Sequence, residues 1–373
     1  MKIYYSILLI ILLLLTSLGY CGIEDKYFNS GATKCNSEDY KVAIVNYNMT
    51  IEINPRSSDT YYARANTKNL IEDYRVAIDN YTKAIENNPR STESYFARGN
   101  VKILLEDYKG AIADYNMTIG INPSFADAYY ARGNAKNFIE DYWGAIADYT
   151  KAIEINPIYA DSYYDRGVTK IHIQDYRGAI ADYNTTIEIN PKSFDAYYAR
   201  GIAKIHLEDY MGQIADYTKA IEINPRFAEA YYARGSAKNL TEDFWGAIAD
   251  YTKAIQINPK NADFYFDRGV TKIHLEDYQG AIADYNKTIE INPRSADAYY
   301  ASGLAKIHLE DYLGPIDDYT KAIEINPKYA EAYFARGIAK LILGLNDSAI
   351  SDLNNAGELG FARAFEAIKK YCQ

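Results

Sequence analysis

Along Ala126–Tyr159 the apolar and polar positions form two helical stripes separated by one short break. In the first half, Tyr129, Gly133 and Lys136 fall on one side of a helix over 127–138. Asp127, Tyr130, Asn134, Asn137 and Phe138 fall on another, mostly at steps of three and four. Glu140-Asp141 interrupts the pattern. Asp141 suits a helix N-cap, because its carboxylate can accept from the free backbone N–H groups of the next turn. The second stripe, Ala145, Ile146, Tyr149, Ala152 and Ile153, predicts a helix from about Tyr142 to Ile155. Asn156-Pro157 ends it, since a residue before proline is pushed out of the helical region. The stretch predicts a helical hairpin.

Nearly all of the chain repeats this hairpin. The Asn-Pro stop recurs from Pro55 to Pro327 with every gap equal to 34 residues. Counting back from each proline gives ten repeats, starting at residues 24, 58, 92, 126, 160, 194, 228, 262, 296 and 330, the last drifting after Leu343. One hairpin cannot cover its own apolar face, but stacked neighbours can, which predicts an all-α solenoid. Gly133 and Ala145 mark the expected close approach of the two helices. Residues 126–227 and 228–329 are near-copies of each other, so a feature shared by these two blocks counts once.

Tyr129, Gly133, Ala145, Tyr149, Ala152 and Pro157 fall at the spacings of the tetratricopeptide repeat, and the chain resembles that family from residue 24 to about 360. The resemblance implies a right-handed superhelical solenoid and a non-catalytic protein-binding scaffold. The chain departs from the family pattern at Arg132, where Leu is usual, and at Lys136, where Tyr is usual. Both departures recur through the repeats. Asp148 and its equivalents lie on the second helix at a constant offset from Arg132, so an Arg–Asp ladder can satisfy both charges where the family uses a Leu contact.

The two ends differ from the middle. Residues 1–22 have Lys2, the unbroken apolar run Ile7–Leu15 and a small, polar stretch to Cys21, the layout of a secretory signal peptide. A retained or lipidated membrane anchor is the alternative. Export to a periplasm, a cell surface or the medium is the expected localisation. Residues 361–373 carry a further amphipathic helix, with Phe361, Ala364, Phe365 and Ile368 expected to cap the last repeat. The mature chain would exceed an ordinary single domain, but a solenoid grows by addition. Cys35 and Cys372 sit near opposite ends, so no disulfide framework is expected. A net charge of −10 excludes the basic stripe that nucleic acid needs.

In the resembled family the concave surface is lined by the first helices, on the face that here carries Asp127 and Tyr130. Tyr62, Phe96, Tyr130, Tyr164, Tyr198, Tyr232, Phe266 and Tyr300 form an aromatic series on it. Asp127, Asp161, Asp195, Glu229, Asp263 and Asp297 form an acidic one. These are the candidate binding residues for a protein or peptide segment bearing Lys or Arg, through charge attraction and cation–π contacts. Each series also has a structural reading: acids favour a helix N-terminus, and aromatics pack between neighbouring helices. The family's clamp for a C-terminal carboxylate is not expected, because Asn66, Asn100 and Asn134 stand without the Lys and Arg that it needs. The four histidines, His172, His206, His274 and His308, occupy one repeat position and are candidate pH-sensitive contacts on the same face. No metal, cofactor or catalytic group stands out from the repeat pattern. Two other readings fit the same residues: an accessory component that binds a small molecule or glycan, and a structural spacer. Gln213 and Pro315 replace the small Ala145 equivalent and read as packing variants, with Pro315 in the first turn of its helix.

Overall fold

The computed structural model describes residues 22–371; the N-terminal signal or anchor segment and Cys372 lie outside the described residues. All regular structure among them is helical. The chain falls into two compact units, one ending at Ile189 and one beginning at Asn190. In the first unit the first helices of the hairpins are α1 (22–36), α3 (Ser58–Leu70), α5 (Thr92–Leu104), α7 (Ala126–Phe138) and α9 (Ala160–His172). The second helices are α2 (Tyr40–Ile53), α4 (Tyr74–Asn87), α6 (Tyr108–Ile121), α8 (Tyr142–Ile155) and α10 (Tyr176–Ile189). In the second unit the first helices are α11 (Phe194–Ile205), α13 (Ala228–Leu240), α15 (Ala262–His274), α17 (Ala296–His308) and α19 (Ala330–Ile342). The second helices are α12 (Tyr210–Ile223), α14 (Phe244–Ile257), α16 (Tyr278–Ile291), α18 (Gly314–Ile325) and α20 (Asn346–Glu358), followed by α21 (Arg363–Tyr371). Within each unit every helix from α3 onward packs on the one before it, and successive first helices touch from α3 to α9 and from α13 to α17.

The junction inside each hairpin follows from local chemistry. Glu140 Nα–H donates to the Asn137 carbonyl at 3.0 Å, and Asp141 Nα–H donates to the Lys136 carbonyl at 2.9 Å. This is a Schellman turn, which needs a residue in the left-handed region after the helix. Glu140 occupies it at φ 63°, and so do eight equivalents from Glu38 to Glu310, Gln174 among them; in the tenth hairpin Gly344 stands there at φ 75°. Asp141 then caps the next helix, its Oδ1 accepting from Gly144 N–H at 3.0 Å. Where Val stands in place of Gly144 the cap weakens. It stretches to 3.5 Å between Asp39 and Val42, and Asp73, three residues before Val76, makes no cap bond.

The core is built from the tyrosine row of the second helices. Tyr81, Tyr115, Tyr149, Tyr183, Tyr217, Tyr251, Tyr285 and Tyr319 are fully buried. The space above Gly133 is taken by the Tyr149 ring, since a Cβ there would sit 2.7 Å from Cε1. The close approach at Gly133 is therefore helix to ring rather than helix to helix. Tyr149 Oη donates to Asn134 Oδ1 at 2.6 Å, and Tyr115 and Tyr81 donate to Asn100 and Asn66 in the same way. These asparagines anchor the core tyrosines.

Two details differ from the sequence reading. Pro315 does lie in the first turn of its helix, but α18 begins two residues later than its counterparts. In the preceding hairpins the residue at this position donates its N–H to the capping Asp carbonyl, as Ala145 does to Asp141 at 2.9 Å. Proline has no N–H, and its ring would clash with that carbonyl, so the helix restarts at Gly314. In the cap, α21 buries Ala364 and Ala367, while Phe365 stays 52% exposed. The helix starts only at Arg363, so Phe361 reaches the core from the preceding loop, its ring tilted against Phe334 at 4.8 Å.

Candidate functional site

Each first helix presents its Asp127 and Tyr130 equivalents on the same face. The acids Asp127, Asp161, Asp195, Glu229, Asp263 and Asp297 are all exposed, in the first turns of α7, α9, α11, α13, α15 and α17. The aromatics Tyr62, Phe96, Tyr130, Tyr164, Tyr198, Tyr232, Phe266 and Tyr300 are half-buried. Each ring meets the core tyrosine of its own hairpin at 5.6–5.9 Å between centroids, as in Tyr62–Tyr81, Tyr130–Tyr149 and Tyr198–Tyr217. Several also meet the entry residue of the next hairpin: Phe96–Phe125 at 4.9 Å, Tyr130–Tyr159 at 5.0 Å and Tyr300–Tyr329 at 5.0 Å. One edge of each ring thus seals a seam, and the other edge remains accessible.

Cavities open where these rings and acids converge. In the first unit a cavity of about 560 Å³ lies between α5 and α7, with Phe96, Tyr130, Asp127 and Phe138 in its walls. In the second unit a cavity of about 480 Å³ lies between α15 and α17, lined by Phe266, Tyr300, Asp297, His274 and His308. Tyr329 Oη donates to Asp297 Oδ1 at 2.9 Å, which fixes that carboxylate at the rim.

Three of the four histidines are stacking residues. His172 lies face to face on Tyr142 at 4.9 Å, His274 on Phe244 at 4.8 Å and His308 on Tyr278 at 4.5 Å, with rings within 3° of parallel. Phe138 stacks on Tyr108 in the same way. His206 ends α11 as its C-cap. Among the described residues no group of three or more His, Cys, Asp or Glu is placed to hold a metal.

The arginine series is inward, away from the cavities. Arg132 bonds Asp148 through Nε at 2.9 Å and Nη2 at 2.5 Å, and Lys136 reaches the same carboxylate at 2.8 Å. The Asp148 side chain is 4% exposed. From the third hairpin onward the lysines that depart from the family pattern therefore belong to the ladder, a role that the sequence reading did not assign, while Lys34 and Lys68 pair with the capping Asp39 and Asp73. The ladder repeats at Asp114, Asp182, Asp216, Asp250, Asp284 and Asp352.

Sequence reasoning also missed two carboxylates. Asp165 and Asp267 stand where Ala131 and most other repeats have Ala. Tyr130 Oη donates to Asp165 Oδ2 and Tyr232 Oη to Asp267 Oδ2, each at 2.6 Å. Burial pushes both carboxyls up, the tyrosine hydrogen bond opposes that rise, and the neighbouring Asp161 or Asp263 adds to it. The only signal was Asp in place of the Ala of the Tyr-Tyr-Ala-Arg-Gly motif, and it occurs once per duplicated block.

Family models of the tetratricopeptide repeat match residues 71–124, 126–159, 160–193, 194–227, 242–272, 273–307, 296–329 and 318–351. The chain belongs to the tetratricopeptide repeat family. A comparison with curated proteins returns no match. Among solved structures, the C-terminal part of a TPR repeat-containing protein from Cytophaga hutchinsonii is similar with a TM-score of 0.56 at 17% identity, over 64% of this chain and 97% of that one. MamA is 27% identical over 44% of this chain and 96% of its own, with a TM-score of 0.43. YrrB, described as a TPR protein with an unusual peptide-binding site, is 23% identical over 50% and 97%, with a TM-score of 0.46. Membership of the TPR family makes protein–protein interaction the general role of this chain and a protein or peptide its general class of partner. No helix among the described residues is long and apolar enough to cross a membrane.

Proposed function

We propose that this TPR protein is a non-catalytic scaffold, exported across a membrane by its N-terminal segment, that binds a basic segment of a protein partner along the first-helix face. One observation carries the reading: exposed acids and half-buried aromatics line the same cavities, Asp127 beside Phe96 and Tyr130, and Asp297 beside Phe266 and Tyr300. A lysine or arginine seated there meets a carboxylate and a ring face together, and a cation over an aromatic face gains about 0.5–2 kcal/mol. The ladder arginines supply no competing cation to this face, because they are held against the second helices.

The test is a pull-down from the envelope and secreted fractions of the source cells. The chain from residue 22 is compared with a variant carrying Lys in place of Asp127, Asp161, Asp195 and Glu229. A partner kept by the first and lost by the second, with equal helicity by circular dichroism, is the expected result. Equal retention by both chains would move binding off this face. Fractionation of the cells, with the protein absent from envelope and medium, would remove the export part of the proposal.

A further inference from the structure

The two carboxylates that the repeat pattern does not ask for give this face its chemistry. Every ladder aspartate is held by an arginine, a lysine or both. Asp165 and Asp267 have neither. The groups that act on Asp165 are the Tyr130 hydroxyl and the Asp161 carboxylate, and those that act on Asp267 are the Tyr232 hydroxyl and the Asp263 carboxylate. None of the ion pairs formed by the described residues includes either one. Asp161 and Asp165 stand one helical turn apart on α9, as do Asp263 and Asp267 on α15, so each pair is a like-charge pair at i, i+4. A carboxylate half-removed from water beside a second carboxylate is costly unless a cation arrives.

Asp267 is also placed in a wall. A cavity of about 210 Å³ lies between α13 and α15, floored by Tyr251 and lined by Ser236, Asn239, Leu240, Val270 and Asp267. Its polar groups are mostly committed. Tyr251 Oη donates to Ser236 Oγ at 3.2 Å, Thr271 Oγ1 donates to Asn239 Oδ1 at 3.1 Å, and Tyr232 takes one oxygen of Asp267. The other oxygen, Oδ1, is the acceptor left over. Leu240 and Val270 offer apolar walls suited to a methylene stem.

We propose that Asp267, and its copy Asp165, are cation subsites, each taking one lysine ammonium or arginine guanidinium of the partner segment onto the carboxylate that the tyrosine positions. The inference rests on the reading of the face as a site for a basic segment, and narrows it to two of the ten hairpins. The acids at the helix starts of each unit then draw a basic segment in, while Asp165 in the first unit and Asp267 in the second each set which residue is read there.

The test uses the full chain and a fluorescein-labelled peptide in which lysine alternates with glycine and serine, followed by fluorescence anisotropy. Matched peptides carry arginine or norleucine at the lysine positions. The variant Asp165→Asn with Asp267→Asn keeps an acceptor for each tyrosine hydroxyl and removes only charge. It is expected to bind the lysine peptide about tenfold more weakly than the wild type, the weight of a hydrogen bond to a charged group. Tyr130→Phe with Tyr232→Phe keeps both charges but releases the carboxylates from the hydroxyls that position them, and is expected to weaken lysine-peptide binding less than the Asn variant does. The ratio of lysine to arginine affinity says which cation the subsites prefer. Wild-type binding in the Asn variant, alongside loss in the four-site lysine variant described above, would overturn the subsites and leave the basic-segment reading standing. Equal losses in the Asn and Phe variants would also overturn them, by making the tyrosine–aspartate contact structural. Failure of the wild type to prefer lysine or arginine over norleucine would overturn both proposals.

Discussion

Arg132 grips Asp148 with two parallel hydrogen bonds and sends its third nitrogen, Nη1, back to Asn116 on the preceding hairpin at 2.6 Å. One guanidinium thereby joins α6, α7 and α8. Its planar fork suits this role, and it also lies over the Tyr129 ring, 5.4 Å from the centroid. The tie to the preceding hairpin recurs, with Thr82, Thr150, Thr218, Thr252 and Thr320 in place of Asn116. Asp148→Ala leaves two cations without their carboxylate and is expected to cost about 3–5 kcal/mol, the range for breaking a buried pair from one side. In a double-mutant cycle with Arg132→Ala, read by urea unfolding, a coupling of about 0.5–3 kcal/mol is expected. Additive losses would remove the pairing as a stabilising contact.

Glu140 holds a left-handed backbone conformation that its Cβ disfavours. Glu140→Gly is therefore expected to raise stability by about 0.5–1 kcal/mol, less whatever glycine adds to the entropy of the unfolded chain. Gly344 already occupies this place in the tenth hairpin. Thermal unfolding of the single variant and of a variant changed at several of the nine positions would show it, through a midpoint that rises with each change. An unchanged or falling midpoint would mean that these side chains repay the strain through contacts of their own.

Asp165 links stability to pH in an unusual direction for a carboxylate. Its carboxyl is pushed up in the folded chain by burial. Between the ordinary Asp value and the raised folded one, the folded state binds more protons than the unfolded state. Stability attributable to this group is then fully present below the ordinary value and declines as pH rises through the raised one. Asp165→Asn is expected to raise the unfolding midpoint at neutral pH and to lose that advantage in acid. Relief of the like-charge pair with Asp161 alone is worth about 0.2–0.5 kcal/mol. A variant less stable than the wild type at neutral pH would show that the charge is compensated.

The sequence made the fold legible because the period repeats its own evidence ten times over. Asp141 as a cap, Asn156-Pro157 as a stop and Arg132 opposite Asp148 each follow from chemistry that acts within one hairpin. What escaped lies between hairpins or in backbone geometry. Lys136 reads as a departure from the family pattern, and only its folded position shows the second cation on Asp148. Glu140 is a poor sequence marker for a left-handed residue, since its type carries no such preference. The aromatic row was readable as a row, but which edge of Tyr130 meets Tyr159 depends on how neighbouring hairpins stack. Asp165 is separated from Tyr130 by a whole repeat, so their contact has no local signature. The histidines were placed on the right helix turn, yet their stacking on Tyr142, Phe244 and Tyr278 is again a contact between successive hairpins.

Of the hairpins that follow another, one lacks the arginine that fastens it to its predecessor. In the ninth, Ser302 replaces the arginine and reaches only Asp318, at 2.9 Å, with no arm to send back to Asn286. Pro315 in the same hairpin delays the start of α18, and Asp318 is 15% exposed where its counterparts are 4–5%. In a linear array each seam is held by its own two neighbours alone, so no distant contact makes up for the tie that this seam lacks. Slow hydrogen exchange would therefore be interrupted at α17 and α18, and a protease would cut first near Asp311–Leu313, freeing a C-terminal piece while the preceding hairpins of the second unit stay folded.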